Sequence, residues 1–153
     1  MKRSTERFLT THVGSLPRPA DLVRTMFAKE EGVPIDEPAL ASHIAKAVDE
    51  IVAKQSACRV DVLSDGEMSK PSYATYVKDR LSGFDGEANS FVYQDLVDFP
   101  ALQRKVFGDS GRSRRKTPAC TSAIAIRDRN AVSADIANMK AAGIEWQQLT
   151  IEC

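Results

Sequence analysis

The amino-acid sequence predicts an α/β protein, a parallel sheet with crossover helices. Two observations predict it. Four short runs rich in strand formers alternate with segments of helical spacing. Between the second run and the helix expected after it stand two carboxylates, Asp65 and Glu67, on either side of Gly66. Acidic groups in such a turn lie where parallel strands present polar chemistry at their C-terminal ends.

The first run is Phe8-Leu-Thr-Thr-His-Val13, ended by Gly14-Ser15. Leu16-Pro-Arg-Pro19 is a stiff turn, and a short helix follows from about Ala20 to Ala28. Gly32-Val-Pro34 breaks the pattern. Asp36 then caps a longer helix to about Gln55, with Pro38 in its first turn. Leu40, Ile44, Ala47, Val48, Ile51 and Val52 form its apolar stripe. Lys46, Glu50 and Lys54 line a solvated face at i,i+4 spacing.

Val60 to Leu63 is the second strand. Gly66 turns the chain, and Ser69 reads as the N-cap of a helix with Pro71 near its start. Tyr73, Tyr76, Val77 and Leu81 continue at helical spacing, with Gly83 placed to end that helix. Packing or one wall of a substrate site would each account for the tyrosines. Residues 84–116 are the least regular part, an expected lid or insertion with one helix over Asp98 to Phe107. The basic run Arg112-Ser-Arg-Arg-Lys116 fits a solvated turn before a strand. Ala119 to Ile126 is the third strand. A helix starts at Asn130 or Ser133, turns Val132, Ile136 and Met139 inward and stops at Gly143; Ile144 to Ile151 is the fourth strand.

Composition excludes several function classes. With 153 residues, 42% hydrophobic and 27% charged, the chain suits one domain with an adequate core. The 21 basic and 21 acidic residues balance, so no global field recruits nucleic acid or an anionic membrane. No apolar run approaches the roughly 20 residues that cross a bilayer. The start, Met-Lys-Arg-Ser-Thr-Glu-Arg7, lacks the apolar stretch of a signal peptide. Cys58, Cys120 and Cys153 are scattered without CxxC spacing, which fits reduced thiols and a cytoplasmic location.

Dinucleotide, phosphate-loop and nucleophile-elbow motifs are missing from the sequence. His12, at the end of the first strand, is a site candidate or else a packing or hydrogen-bonding residue, whereas His43 on the long helix reads as structural or exposed. Asp65 and Glu67 admit two readings. They cap a helix and favour its positive end, or they bind a ligand.

Thr10-Thr-His-Val-Gly-Ser-Leu-Pro-Arg-Pro19, followed by Leu63-Ser-Asp-Gly-Glu-Met68, resembles the start of the catalytic barrel of cobalamin-independent methionine synthase, and more closely its single-barrel relatives. Pro118-Ala-Cys-Thr-Ser-Ala-Ile124 and Asp135-Ile-Ala-Asn-Met-Lys-Ala-Ala142 resemble the next βα unit of that family. The resemblance implies that residues 1–153 form the N-terminal part of one (β/α) barrel of TIM type, with about four parallel strands. It implies a methyltransferase of methionine biosynthesis, acting on homocysteine or a related thiol with a methylfolate donor.

By the same resemblance, the loop Val13-Gly14-Ser15 holds the carboxylate of homocysteine and Glu67 holds its ammonium group. His12 and Asp65 are further candidates beside them. The family activates the thiol on zinc, held by His, Cys, Glu and Cys of later strands. No H-x-C pair occurs here, so a metal site and a cofactor are not expected in this chain, and zinc is expected only for a complete family member. The catalytic residues stay unassigned, and the chain reads as incomplete. A non-catalytic fragment or small-molecule-binding module of the same superfamily is the alternative. A partial sheet would leave open edges, which predicts a homo-oligomer or a missing half-barrel supplied from elsewhere.

Overall fold

The computed structural model describes residues 4–72, 76–85, 94–107, 118–143 and 149–150. The chain divides into two compact units, Met1–Tyr73 with Asp128–Cys153, and Ala74–Arg127.

In the first unit, helix α1 (Ala20–Glu30) follows Pro19 without a side-chain cap. Helix α2 (Glu37–Ala57) begins as its sequence demands. The Asp36 carboxylate accepts the Ala39 N–H at 2.9 Å, and Pro38 occupies the first turn, where no helical hydrogen bond is lost. Leu40, Ala47, Val48, Ile51 and Val52 are buried along one stripe of α2. They pack with Leu22 and Met26 of α1, with Leu63 and Met68, and with Met139 of α6 (Asn130–Ala141) to form the core. Each such aliphatic side chain contributes about 1.5–3 kcal/mol on full burial. Lys46 and Glu50 sit on the solvated side, 3.9 Å apart.

Strand β1 (Leu63–Ser64) pairs in parallel with β4 (Leu149–Thr150). Thr11 forms a parallel bridge with Val62. Three chain segments of the first unit therefore run parallel in the order Thr11, β1, β4. The expected strand over residues 8–13 contracts to this one bridge. The N–H of Thr10 goes to the Asp61 carboxylate at 2.9 Å, while the Asp61 and Val62 N–H groups both donate to the Thr10 carbonyl. Arg7 also bonds Asp61, and Phe8 is 94% exposed.

The helix expected from Ser69 does not form over residues 69–72. Its hydroxyl donates instead to Asp135 of α6, at 2.8 Å. That bond also explains an inward face of α6 unlike the expected one: Asp135 and Met139 are buried, Ile136 is half-buried and Val132 is 40% exposed.

The second unit corrects the all-parallel expectation. Strand β3 (Ala119–Ile126) has the expected bounds but pairs antiparallel with β2 (Leu81–Asp85). Of the helix expected around Tyr76, the four residues of α3 (Val77–Arg80) form one, and Arg80 lies over the Tyr76 ring. Gly83 does not end a helix. It sits in a bulge where the β2–β3 register shifts, with φ +89°. A Cβ there would lie 2.7 Å from the Ala123 carbonyl oxygen, so the close backbone approach requires glycine. Two short helices follow β2, α4 (Gln94–Val97) and α5 (Pro100–Phe107); Pro100 opens α5, in agreement with its expected place in a first turn. Tyr73, the basic run 112–116 and most of the expected lid lie outside the described residues. The described segments thus form an α/β structure without the expected run of four parallel strands.

Candidate functional site

The site candidates gather where β1 ends. Ser64 leaves the sheet under the control of Gln55 in the last turns of α2. The Gln55 amide donates to the Ser64 carbonyl at 2.8 Å, and its oxygen accepts the Ser64 N–H at 3.1 Å, as a neighbouring strand would. The chain then turns through Asp65, Gly66 and Glu67, all buried. Asp65 accepts the Glu67 N–H at 2.9 Å, and both Gly66 and Glu67 have positive φ, +61° and +57°. For Glu67 that left-handed conformation costs about 1–2 kcal/mol. It persists because Glu67 is held at several atoms.

Three of those contacts come from the loop after Thr11. The Ser15 hydroxyl donates to Glu67 Oε2. Arg18 donates through Nε to the Glu67 carbonyl at 2.9 Å and through Nη2 to Ser15 Oγ at 3.1 Å, with Nη2 also 3.7 Å from Oε2. The Leu16 N–H donates to the Gly66 carbonyl at 3.0 Å, so the two turns are also joined by backbone. Both Ser15 and Arg18 approach Oε2. Among the described residues Oε1 of Glu67 has no hydrogen-bond partner.

Asp65 is 3% exposed, and burial pushes its carboxyl above the usual carboxylate range. Asp135 and Glu67 reinforce that rise, while the Glu67 N–H and the Lys70 ammonium oppose it. Lys70 and Asp135 are themselves buried, so the turn concentrates charge of both signs. By contrast, Arg7 and the Thr10 N–H hold the half-buried carboxyl of Asp61 far below the usual range.

Of the residues singled out from sequence, the structure brings Ser15, Glu67 and Asp65 into one hydrogen-bonded corner. Gly14 precedes Ser15 with φ +88°, and Val13 is 78% exposed. His12 is half-buried, and its Nε2 is buried without a hydrogen-bond partner among the described residues. Sequence reading missed Arg18, Gln55, Lys70 and Asp135 as members of this neighbourhood. Only Arg18 carried a usable mark, since prolines on both sides fix the backbone from which it reaches.

A family model described as the cobalamin-independent synthase, catalytic domain, matches residues 8–132, most of the chain and both of its turn motifs. The chain belongs to this family. No curated protein matches it. The match of the cobalamin-independent synthase family begins at Phe8 and so includes the Ser15–Arg18 loop and the Asp65–Glu67 turn. The zinc that the resemblance implies for a complete family member finds no matching ligand set among the described residues, where no three His, Cys, Asp or Glu side chains converge to hold a metal. Cys58 and Cys120 are both exposed. Among the described residues no helix is long and apolar enough to cross a membrane.

Proposed function

We propose that this chain supplies the amino-acid-binding corner of a methyl-transfer enzyme of the methionine synthase type. Homocysteine or a related thiol is the methyl acceptor, and a methylfolate is the donor. One observation carries the reading: a buried carboxylate, Glu67, offers an oxygen with no partner among the described residues, beside hydroxyl and guanidinium donors. An α-amino acid presents the complementary pair. Its ammonium goes to Glu67 Oε1, and its carboxylate goes to the Val13-Gly14-Ser15 loop. With both ends fixed, the side-chain thiol is directed away from the corner toward the methyl donor, which lowers the entropic part of the barrier.

Glu67→Gln tests this. The variant keeps the shape and an acceptor oxygen but loses the charge. Homocysteine affinity in a calorimetric titration is expected to fall by roughly ten- to a hundredfold, the loss of a charge-assisted hydrogen bond worth about 1.5–3 kcal/mol. Unchanged affinity in a folded Glu67→Gln protein removes Glu67 from the site. A second reading is a small-molecule-binding module of the same superfamily without catalysis. Methyl-transfer assays beside the same titration separate the two: binding with transfer supports an enzyme, and binding without transfer supports the module.

A further inference from the structure

We propose that Arg18 is the positioning residue of this corner, holding Glu67 in its left-handed conformation and fixing which carboxylate oxygen meets the ligand. The inference rests on Glu67 as the ammonium site and adds a residue that the reading above does not use. Arg18 reaches the Glu67 residue at two levels. Its Nε holds the main-chain carbonyl at 2.9 Å, so the peptide that follows the left-handed residue cannot rotate freely. Its Nη2 holds Ser15 Oγ at 3.1 Å, and that hydroxyl in turn donates to Oε2. Guanidinium, hydroxyl and carboxylate form a short relay that engages one oxygen and leaves the other for a ligand.

The geometry needs a planar fork. A guanidinium presents several N–H donors in fixed directions, whereas an ammonium on a flexible stem is a point charge. The Arg18 side chain is 12% exposed and that of Glu67 9%, so the relay operates with little competition from water. Pro17 and Pro19 restrain the backbone on either side, which limits how far Arg18 swings away. The partners lie 49 residues apart in sequence, so Arg18 joins two turns rather than decorating one.

The test compares the full chain with Arg18→Met and Arg18→Lys by amide hydrogen exchange, thermal melting and homocysteine titration. In Arg18→Met the amides of Leu16, Met68 and Lys70, which report on the clasped turns, should exchange roughly ten- to a hundredfold faster. The amides of Val48 and Ile51 in α2 should not change. Arg18→Lys keeps the charge without the fork and should resemble the methionine variant; should that variant fail to fold, the lysine one decides alone. Unchanged exchange in the turns overturns the proposal. So does a uniform rise that includes α2, which marks a general structural role, and so does a lysine variant equal to wild type. Homocysteine affinity should fall about tenfold in Arg18→Lys; binding by the wild type that Arg18→Lys leaves unaltered also overturns the proposal. If the wild type takes up no homocysteine while exchange follows the expected pattern, the proposed function fails and the positioning of Glu67 by Arg18 stands.

Discussion

The turn after β1 and the ribbon of β2 and β3 both bend around a glycine of positive φ, yet different forces hold them. The turn around Gly66 rests on a buried core, and its polar groups pair with one another. The ribbon around Gly83 is held by backbone pairing, and seven of the eight residues of β3 are exposed. The apolar letters of β3, Ala, Cys and Ile, promise a core strand no less than those of Val60 to Leu63. What differs is whether another layer covers them. An apolar run thus marks a strand, while burial depends on partners that arrive from elsewhere in the chain.

The widest contrast should appear between core and ribbon. Leu22→Ala removes a side chain that is fully buried and should cost about 2–5 kcal/mol in denaturant unfolding, by transfer loss and the cavity left behind. Ile126→Ala, at a residue 57% exposed, should stay within about 0.5 kcal/mol. Equal effects would break the comparison.

The glycines sharpen it. Gly83→Ala drives a Cβ against main-chain carbonyls that cannot yield, and should cost about 2–3 kcal/mol, read as lost amide protection across the Leu81–Ile126 pairing. Gly66→Ala meets Leu16 Cβ at 3.0 Å and the flexible end of Met68 at 3.1 Å. It should cost about 1–2 kcal/mol, with the smaller penalty arising because a methionine tip moves aside.

A smaller effect distinguishes two carboxylates of the first unit. The folded state raises the Asp65 carboxyl, mainly by burial, so its protonated form is favoured there. Its contribution to stability is fully present below the ordinary carboxylate range and is lost as pH rises through the raised value. Asp61 behaves oppositely. Its contribution is present at neutral pH and is lost only as pH falls through its depressed folded value. Between neutrality and about pH 4.5, Asp65 should therefore supply a positive slope of stability on acidification, and Asp61 almost none. Melting temperatures across that interval should show the slope in wild type and a flatter profile in Asp65→Asn. The asparagine retains an acceptor for the Glu67 N–H.

Much of the local structure was legible in the residues. Asp36, Pro38 and the stripe from Leu40 to Val52 specify α2 by capping and periodicity, both of which act over a few residues. The spacing of β3 gave its bounds, and the residues around Ser15 and Glu67 marked the corner. Pairing direction was not legible, since Ala119 to Ile126 reads alike beside a parallel or an antiparallel neighbour. The fate of Ser69 was hidden for a related reason. Its hydroxyl is an N-cap in isolation, but Asp135, 66 residues away, competes for it and wins. Arg18 was missed because charge in a proline-flanked turn usually signals solvent, and only the fold shows the buried carboxylate it faces.

The amide of Gln55 carries a consequence for the order in which the chain folds. It clasps Ser64 across nine residues, whereas Arg18 reaches Glu67 across 49. Closing the longer loop costs about 1.5 kcal/mol more in chain entropy than closing the shorter one. The end of α2 and the exit of β1 are therefore expected to form one early hairpin-like unit, which waits with its turn exposed until the N-terminal loop docks. In a φ-value comparison, Gln55→Ala should slow refolding, and Arg18→Lys should mainly speed unfolding. The reverse assignment would mean that the corner itself nucleates the fold.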